Sequence, residues 1–264
     1  MKQHTFVVTA NKESQYLRAC LESLSAQTVK SAIICTTSTP NTHIENICKE
    51  YAVPLFISAE RNCAIGVNWN FAYSCATTDY ITLAHQDDVY EPDFLSETLK
   101  YLGKSKKPLI AFTDYYEIRN NEKIESNKLL RIKRIMCAPW RIGVFRRSRF
   151  ISRRIFMFGN PICCPSVTFV REHLPSTPLF DTSYRTNCDW LAWIKIRDMR
   201  GDFVFCPKKL MGHRIHLESE TSIGIADNAR SEEDLIILKM LSPDFLAKFI
   251  HRFYSKALDS NKIY

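Results

Sequence analysis

Short apolar segments alternate with amphipathic segments over the first 114 residues of the chain. The apolar segments are rich in β-branched and aromatic residues, as buried strands are; they are Thr5–Thr9, Ser31–Thr36, Val53–Ile57, Asp79–Ala84 and Leu109–Thr113. Between them, apolar residues recur at helical spacing, as in Leu17, Cys20, Leu21 and Leu24. This alternation is typical of a parallel sheet covered by helices on both faces, so we expect an α/β fold.

The loops that follow three of these strands are expected to meet. Right-handed crossovers put all strand-to-helix loops of a parallel sheet on one edge. The loops after Thr9, Thr36 and Ala84 therefore converge, and ligands of open α/β sheets bind at that edge. We expect a nucleotide site there.

Two adjacent carboxylates, Asp87 and Asp88, stand where the Asp79–Ala84 strand should stop. Glu91-Pro92-Asp93 follows and is typical of the first turn of a helix. Paired oxygen donors at a strand end suit Mg²⁺ or Mn²⁺ bridging a diphosphate. The alternative interpretation is a polar turn that caps the next helix.

The pattern changes after residue 114. We expect a hairpin tip at Asn120–Lys123, two short helices in the basic stretch that follows, and then further segments: strands Pro165–Val170 and Phe203–Phe205, and helices Cys188–Met199, Ala229–Leu241 and Asp244–Leu258. The predicted organisation is a nucleotide-binding half (1–114), an acceptor-side half (115–227) and C-terminal helices (228–264).

The net charge of +8 is concentrated in one region of this 264-residue chain. No Asp or Glu occurs from Asn127 to Arg171, which suggests a polyanionic partner: phosphate, anionic lipid or nucleic acid. Nucleic acid is not expected, because no nucleic-acid motif accompanies the charge. Arg141–Arg147 mixes apolar and basic residues, as a membrane-surface helix does. A solvated face is the default interpretation of this stretch, and a contact between residues 128–154 and an anionic membrane is the alternative.

The compartment is inferred from what the chain lacks. It has no run of 18 apolar residues, so no transmembrane helix is expected, and its first apolar run is too short for a signal peptide. Its ten cysteines form no C-x-x-C pair, which argues against zinc and against a disulfide framework. We expect a cytoplasmic protein.

With these segments placed, the chain resembles a family-2 glycosyltransferase of GT-A fold. The resemblance covers roughly residues 5 to 230 and rests on motifs in the right order: Phe6–Glu13, Leu17–Gln27, Glu60-Arg61-Asn62, Asn68-Trp69-Asn70, His85–Asp88 at the DXD position, Phe158-Gly159-Asn160, Cys164-Pro165-Ser166, Cys188-Asp189-Trp190, Arg214-Ile215-His216 and Glu220-Thr221-Ser222. The fold that it implies is a mostly parallel nucleotide-binding sheet flanked by helices, with an acceptor-side region and terminal helices.

The resemblance also implies roles for particular residues. Asp189 would be the general base, and Asp88, Asp87 and His216 would hold Mn²⁺ or Mg²⁺. The residues expected to contact the nucleotide are Thr9, Ala10, Asn11, Glu13, Thr36, Ser38, Arg61, Asn70 and Asp87. Each role has a structural alternative: Asp189 as a helix N-cap acid, His216 as a structural residue, and Arg61 as a loop-holding residue.

The reaction implied is an inverting transfer of a sugar from a nucleotide-diphosphate sugar, with UDP the expected nucleotide. The acceptor would be a hydroxyl of a glycan or of a lipid-linked molecule, at the inner face of the plasma membrane. Two departures stand out: Thr36–Thr39 has no carboxylate where the family often carries one, and His85 replaces the first Asp of a longer acidic motif. A degenerate sugar-nucleotide-binding protein is therefore an alternative. A nucleotidyltransferase is a further one, although Ala10–Glu13 lacks a Gly-rich phosphate loop.

Overall fold

The computed structural model describes residues 2–176, 178–216 and 229–258. Its strands are β1 His4–Ala10, β2 Ala32–Thr37, β3 Leu55–Ile57, β4 Tyr80–His85, β5 Val89–Tyr90, β6 Pro108–Arg119, β7 Glu122–Ile124, β8 Val167–Val170 and β9 Asp202–Arg214. Its helices are α1 Leu17–Ser25, α2 Thr42–Glu50, α3 Ile65–Cys75, α4 Phe94–Leu102, α5 Lys128–Cys137, α6 Gly143–Arg146, α7 Arg149–Phe156, α8 Cys188–Arg197, α9 Ala229–Leu241 and α10 Asp244–Leu258.

All strands join one sheet in the order β3-β2-β1-β4-β8-β6-β9-β5, with β7 paired to β6. The first four neighbours run parallel, as the alternation of strands and helices predicts. The β6–β9 pair is also parallel, whereas β8, β5 and β7 pair antiparallel with their neighbours. The mostly parallel sheet expected from the sequence thus describes the N-terminal half, and the second half is mixed.

Two strands are much longer than the sequence pattern indicates. The predicted strand at Phe203–Phe205 is the start of β9, which continues for 13 residues, and the predicted strand at Leu109–Thr113 is part of the 12-residue β6. The register shifts between Thr113 and Tyr115, and Pro207 falls at this irregularity, which is where a strand tolerates proline. The residues that interrupt the apolar pattern, Asp114 in β6 and Pro207 in β9, therefore lie at a bulge and do not end their strands.

The strand β5 was not predicted, because two residues show no periodicity. It pairs with Met211 and Gly212 of β9 and so brings the end of β9 next to the Asp87–Asp88 loop. The predicted hairpin tip is confirmed between β6 and β7, where Asn120 and Asn121 both have positive φ.

Hydrophobic clusters lie on both faces of the sheet. The terminal helices join one of them directly, because Ile237 and Leu238 of α9 and Ala247 and Ile250 of α10 belong to the cluster that contains Val7 and Leu83. One face of each terminal helix therefore packs on the core. The three-part division of the chain remains a prediction.

The basic stretch forms three α-helices and a short 3₁₀ segment, Ala138–Arg141, where two helices were expected. None of the described helices is both long and apolar enough to cross a membrane. The helix α5 is attached to the sheet by Arg134, whose Nε lies 2.7 Å from Oδ2 of the buried Asp114 in β6. Arg134 also donates to the Tyr115 carbonyl at 3.0 Å.

Removal of this buried ion pair should destabilise the fold. Arg134→Met leaves the Asp114 carboxylate buried without its charge partner, which costs about 3 kcal/mol of the free energy of unfolding. Arg131→Met, on the exposed face of the same helix, should change it by less than about 0.5 kcal/mol. Urea unfolding of both variants measures this, and equal stability of the two would contradict the role assigned to the pair.

Candidate active site

A cleft of about 920 Å³ opens at the carboxyl ends of β1, β2 and β4. The three loops meet there as predicted. Asn11 N donates to Gln86 Oε1 at 3.0 Å and Gln86 Nε2 donates to the Asn11 carbonyl at 2.8 Å, while Thr39 Oγ1 donates to Asn11 Oδ1 at 3.1 Å. Side-chain hydrogen bonds between loops thus hold this edge of the sheet in place.

The residues expected to contact a nucleotide divide into three groups. The cleft is lined by Thr9, Ala10, Asn11, Glu13, Thr36 and Asp87. Ser38 and Arg61 line a smaller neighbouring pocket, which shares Lys12 and Glu13 with the cleft. Asn70 lies outside both pockets, because its amide binds the backbone of Leu179 and Phe180 with distances of 2.8 to 3.0 Å. Its observed role is to tie α3 to the segment before α8.

Asp88 is 1% exposed and is held by the end of β9. Its Oδ1 accepts from the backbone N–H of Arg214 at 2.9 Å and lies 3.2 Å from Nδ1 of His213. Burial alone would raise the pKa of Asp88, but the contacts with His213 and the Arg214 N–H lower it overall. Burial likewise opposes the charged form of His213, yet the Asp88 carboxylate raises the pKa of the imidazole. Asp88 is therefore an ionised carboxylate in the wall of the cleft.

Asp87 faces a different set of partners. Ser14 Oγ donates to its Oδ1 at 3.2 Å, and His216 Nε2 lies 3.1 Å from its Oδ2 without hydrogen-bond geometry. Arg214 Nε donates to the Asp87 carbonyl at 2.9 Å, and its guanidinium lies 4.3 Å from the ring centre of Tyr16. The structure thus brings Asp87, Asp88 and His216 together in one cleft, as the motifs predict.

Orphaned polar atoms test whether these residues fit a divalent cation. Oδ2 of Asp88 and Nε2 of His85 are buried without a hydrogen-bond partner. Within the described ranges, no group of three or more His, Cys, Asp or Glu side chains is arranged to hold a metal ion. Proteins nevertheless usually bind Mg²⁺ with a phosphorylated ligand through only one or two carboxylates, and phosphate oxygens and water complete the coordination. The donor set fits a cation that arrives with a diphosphate.

Asp189 lines the same cleft at the start of α8. Asn160 Nδ2 donates to its Oδ2 at 2.9 Å, and the Trp190 N–H donates to its Oδ1 at 2.7 Å. Burial raises the pKa of Asp189 above the usual aspartate value, although these donors and the Arg230 charge oppose the shift. A half-buried carboxylate with a raised pKa and a fixed orientation is suited to general-base chemistry.

The loop before Asp189 is held by α9, which the sequence motifs did not indicate. The Glu233 carboxylate accepts from the N–H groups of Arg185, Thr186 and Asn187 at 2.6, 2.9 and 3.0 Å, and from the Thr186 hydroxyl at 2.7 Å. The next residue, buried Asp234, accepts from Asn187 Nδ2 at 2.9 Å. Glu233 and Asp234 thus hold the N-terminus of α8 in place and help to fix the position of Asp189.

Two further cleft residues were missed. Lys133 of α5 donates to the Tyr115 hydroxyl at 3.0 Å. Arg230 of α9 also lines the cleft, and its carbonyl accepts from Asn187 Nδ2 at 3.4 Å. For Lys133 there was a signal in the sequence, since it lies one helical turn after Leu129, which is buried. Nothing local marks Arg230 or Glu233, because their partners are more than 40 residues away in the chain.

The nine-stranded sheet has the fold of GT-A-type glycosyltransferases, as solved structures show. TarS from S. aureus in complex with UDP-GlcNAc has a TM-score of 0.67 and 11% identity, and the match covers 98% of this chain and 73% of that chain. The mannosyltransferase PcManGT from Pyrobaculum calidifontis, in complex with GDP-Man and Mn²⁺, has a TM-score of 0.66 and 14% identity, covering 98% and 71%. These likenesses establish the fold.

The family follows from the sequence itself. The family model described as Glycosyl transferase family 2 matches residues 5–173, so the chain belongs to that family and the resemblance drawn from its motifs is confirmed. An uncharacterised glycosyltransferase of Methanocaldococcus jannaschii is 32% identical over 124 residues, which are 45% of this chain and 43% of that relative. The chain thus matches less than half of the length of this relative.

Removal of the Glu233 carboxylate should loosen the loop that precedes Asp189. Charge-assisted hydrogen bonds contribute more to stability than neutral ones, so Glu233→Ala should lower the free energy of unfolding by about 2 kcal/mol. It should also increase amide hydrogen exchange at residues 185–187. Glu232→Ala, an exposed neighbour on the same helix, is the matched control. Equal exchange in the two variants would refute the support assigned to Glu233.

Proposed function

We propose that the chain is an inverting glycosyltransferase that moves a sugar from a nucleotide-diphosphate sugar to an acceptor hydroxyl. One observation carries the proposal: a single cleft contains a buried ionised Asp88 beside the nucleotide-side loops and an oriented Asp189 with a raised pKa. One carboxylate suits a metal–diphosphate and the other suits proton removal. The bound nucleotide sugars of the two solved neighbours support this class of donor.

The leaving group needs positive charge. Asp88 and Asp87, with His216 nearby, would hold Mn²⁺ or Mg²⁺, and a cation bound there supplies Lewis-acid stabilisation of the departing diphosphate. The Mn²⁺ in the mannosyltransferase neighbour supports this assignment. The roles of Thr9, Asn11, Glu13 and the other loop residues in holding the nucleotide are proposed from their positions around the same cleft.

Asp189 acts on the acceptor. Its carboxylate takes the proton of the acceptor hydroxyl while the oxygen forms a bond to the anomeric carbon. The bond between that carbon and the diphosphate oxygen breaks on the opposite face, which inverts the configuration. Asn160 and the Trp190 N–H hold one carboxylate oxygen each, so the base stays oriented during the attack.

The acceptor is proposed to be a hydroxyl of a glycan or lipid-linked molecule, and the enzyme to work in the cytoplasm at the inner face of the plasma membrane. A degenerate binder is the second candidate, because Thr36–Thr39 has no carboxylate for the nucleotide. Release of nucleoside diphosphate from a sugar nucleotide, dependent on added metal and on acceptor, separates turnover from binding.

The donor site can be tested by thermal stability with UDP, GDP, CDP and CMP, each with and without Mn²⁺. A ligand that binds only the folded state stabilises it by about 2.7 kcal/mol at a hundredfold excess over its Kd. One diphosphate should raise the Tm only with Mn²⁺, and Asp88→Asn should abolish that increase. Asp93→Asn, an exposed acid beyond the loop, should retain it. No increase with any nucleotide would favour a capped turn over a metal–diphosphate site.

The base can be tested by the pH dependence of kcat. Asp189→Asn should lower kcat by about a hundredfold or more. In the wild type, kcat should fall as the pH drops through the Asp189 pKa, since the protonated acid cannot accept a proton. Asn160→Ala removes a hydrogen bond that lowers this pKa, so the acidic limb should move to higher pH. An unmoved limb in Asn160→Ala, or full activity in Asp189→Asn, would assign the base elsewhere.

A further inference from the structure

Large apolar side chains are exposed mainly on one group of helices. Of the thirteen such side chains in the described part of the chain, eleven lie between residues 132 and 253. We call residues 128–158 and 229–253, which contain α5, α6, α7, α9 and most of α10, the helical cap. Its most exposed apolar residues are Ile135 at 73%, Val144 at 71%, Phe150 at 64% and Phe245 at 76%.

These helices are neighbours in space although they are far apart in sequence. Cys137, Trp140 and Phe156 share a hydrophobic cluster with Ile237 and Ile250. The α10 helix also packs against α5, and Arg153 of α7 donates to the carbonyl of Leu241 at 2.8 Å. The inner faces of α5, α7, α9 and α10 meet in this cluster, so their outer faces together form one surface. The α6 helix has no buried residue and is joined to that surface through its contacts with Ala138–Arg141, whose Trp140 belongs to the cluster.

That surface is basic as well as apolar. Exposed cations lie among the apolar side chains: Lys128, Arg131, Arg141, Arg147, Arg149, Arg153, Arg154, Lys239, Lys248 and Arg252. The exposed acids of the described cap are Glu232 and Asp244, and Asp244 is paired with both Lys239 and Lys248. Apolar side chains scattered singly are normal on a solvated face, but eleven of the thirteen exposed ones in the described part of the chain lie on this one group of helices. Grouped exposed apolar side chains rimmed by polar residues mark interaction sites.

The cap also borders the Asp189 side of the cleft. Leu129 and Lys133 of α5 and Arg230 of α9 line the cleft directly. Phe158, which is 57% exposed, precedes by two residues the Asn160 that donates to Asp189. A molecule anchored at the cap is thus adjacent to the residues that orient the base.

We propose that the helical cap docks on an anionic lipid bilayer and that the bilayer presents a lipid-linked hydroxyl acceptor to Asp189. The acceptor part rests on the proposed function. Basic side chains mixed with apolar ones match a bilayer surface, where phosphate head groups overlie acyl chains. A symmetric contact between two copies would instead place cations against cations, so a bilayer is the occupant that the charge favours.

Vesicle flotation tests the docking. The wild type should bind vesicles that contain phosphatidylglycerol, bind pure phosphatidylcholine weakly, and lose binding as salt screens the charges. Arg131→Gln, Arg149→Gln and Arg154→Gln combined should weaken binding roughly a hundredfold, at roughly fivefold for each charge. Ile135→Ser, Val144→Ser and Phe245→Ser combined should weaken it by roughly tenfold or more.

The matched control is Phe56→Ser with Ile57→Ser, two exposed apolar residues of the edge strand β3. This control should bind vesicles like the wild type. Absence of vesicle binding in the wild type, or equal binding by all variants, would overturn the proposal. So would self-association of the wild type that the Ile135, Val144 and Phe245 substitutions reverse, since that would assign the face to a second copy.

Nucleotide binding separates this proposal from the function of the cleft. Every cap variant should keep the increase in Tm that a diphosphate and Mn²⁺ give the wild type, because none of the substituted residues lines the cleft. Lost vesicle binding with retained nucleotide stabilisation supports the cap. Absent vesicle binding with retained stabilisation overturns only the docking. Absent stabilisation in the wild type overturns the proposed function independently of the vesicles.

Discussion

The capture of the Asp88 carboxylate by the end of β9 is the interaction on which the candidate site depends. An ionised carboxylate that is 1% exposed must have partners, because an unpaired buried charge is strongly unfavourable. The Arg214 N–H and His213 supply them. The pairing of β5 with β9 brings these partners next to Asp88. The last strand along the chain therefore stabilises the loop that follows β4.

The position of Asp189 likewise depends on contacts with segments that are distant in the sequence. Its own helix provides only the Trp190 N–H, while Asn160 comes from the segment after α7 and Glu233 holds the preceding loop from α9. The helix that supports Asp189 is also part of the helical cap. One side of α9 faces the cleft and the loop before Asp189, and its other side exposes Ile236 and Met240. The proposed docking surface and the proposed chemistry therefore share a structural element.

Sequence patterns predicted well those features that interactions between neighbouring residues determine. The strands β1, β2 and β4, the helices between them and the terminal helices α9 and α10 lie within a few residues of their expected positions, because side-chain periodicity and strand length are written in neighbouring residues. The convergence of three loops was predicted as well, since crossover handedness determines it once the strands are parallel. The order of the motifs also indicated the family.

Tertiary structure alone decided the rest. Asp114 is buried within β6 because it forms an ion pair with Arg134, so its charge does not end the strand. Pro207 lies at a bulge in β9, so the proline does not end that strand. The Asn70 amide, expected at the nucleotide, binds the backbone of Leu179 and Phe180 and so ties α3 to the segment before α8. The supports of Asp88 and Asp189 and the single outer face of the cap arise from contacts between segments far apart in the chain. Such contacts leave no periodic signal in the sequence, which determined the strands, helices and carboxylates themselves but not what surrounds them.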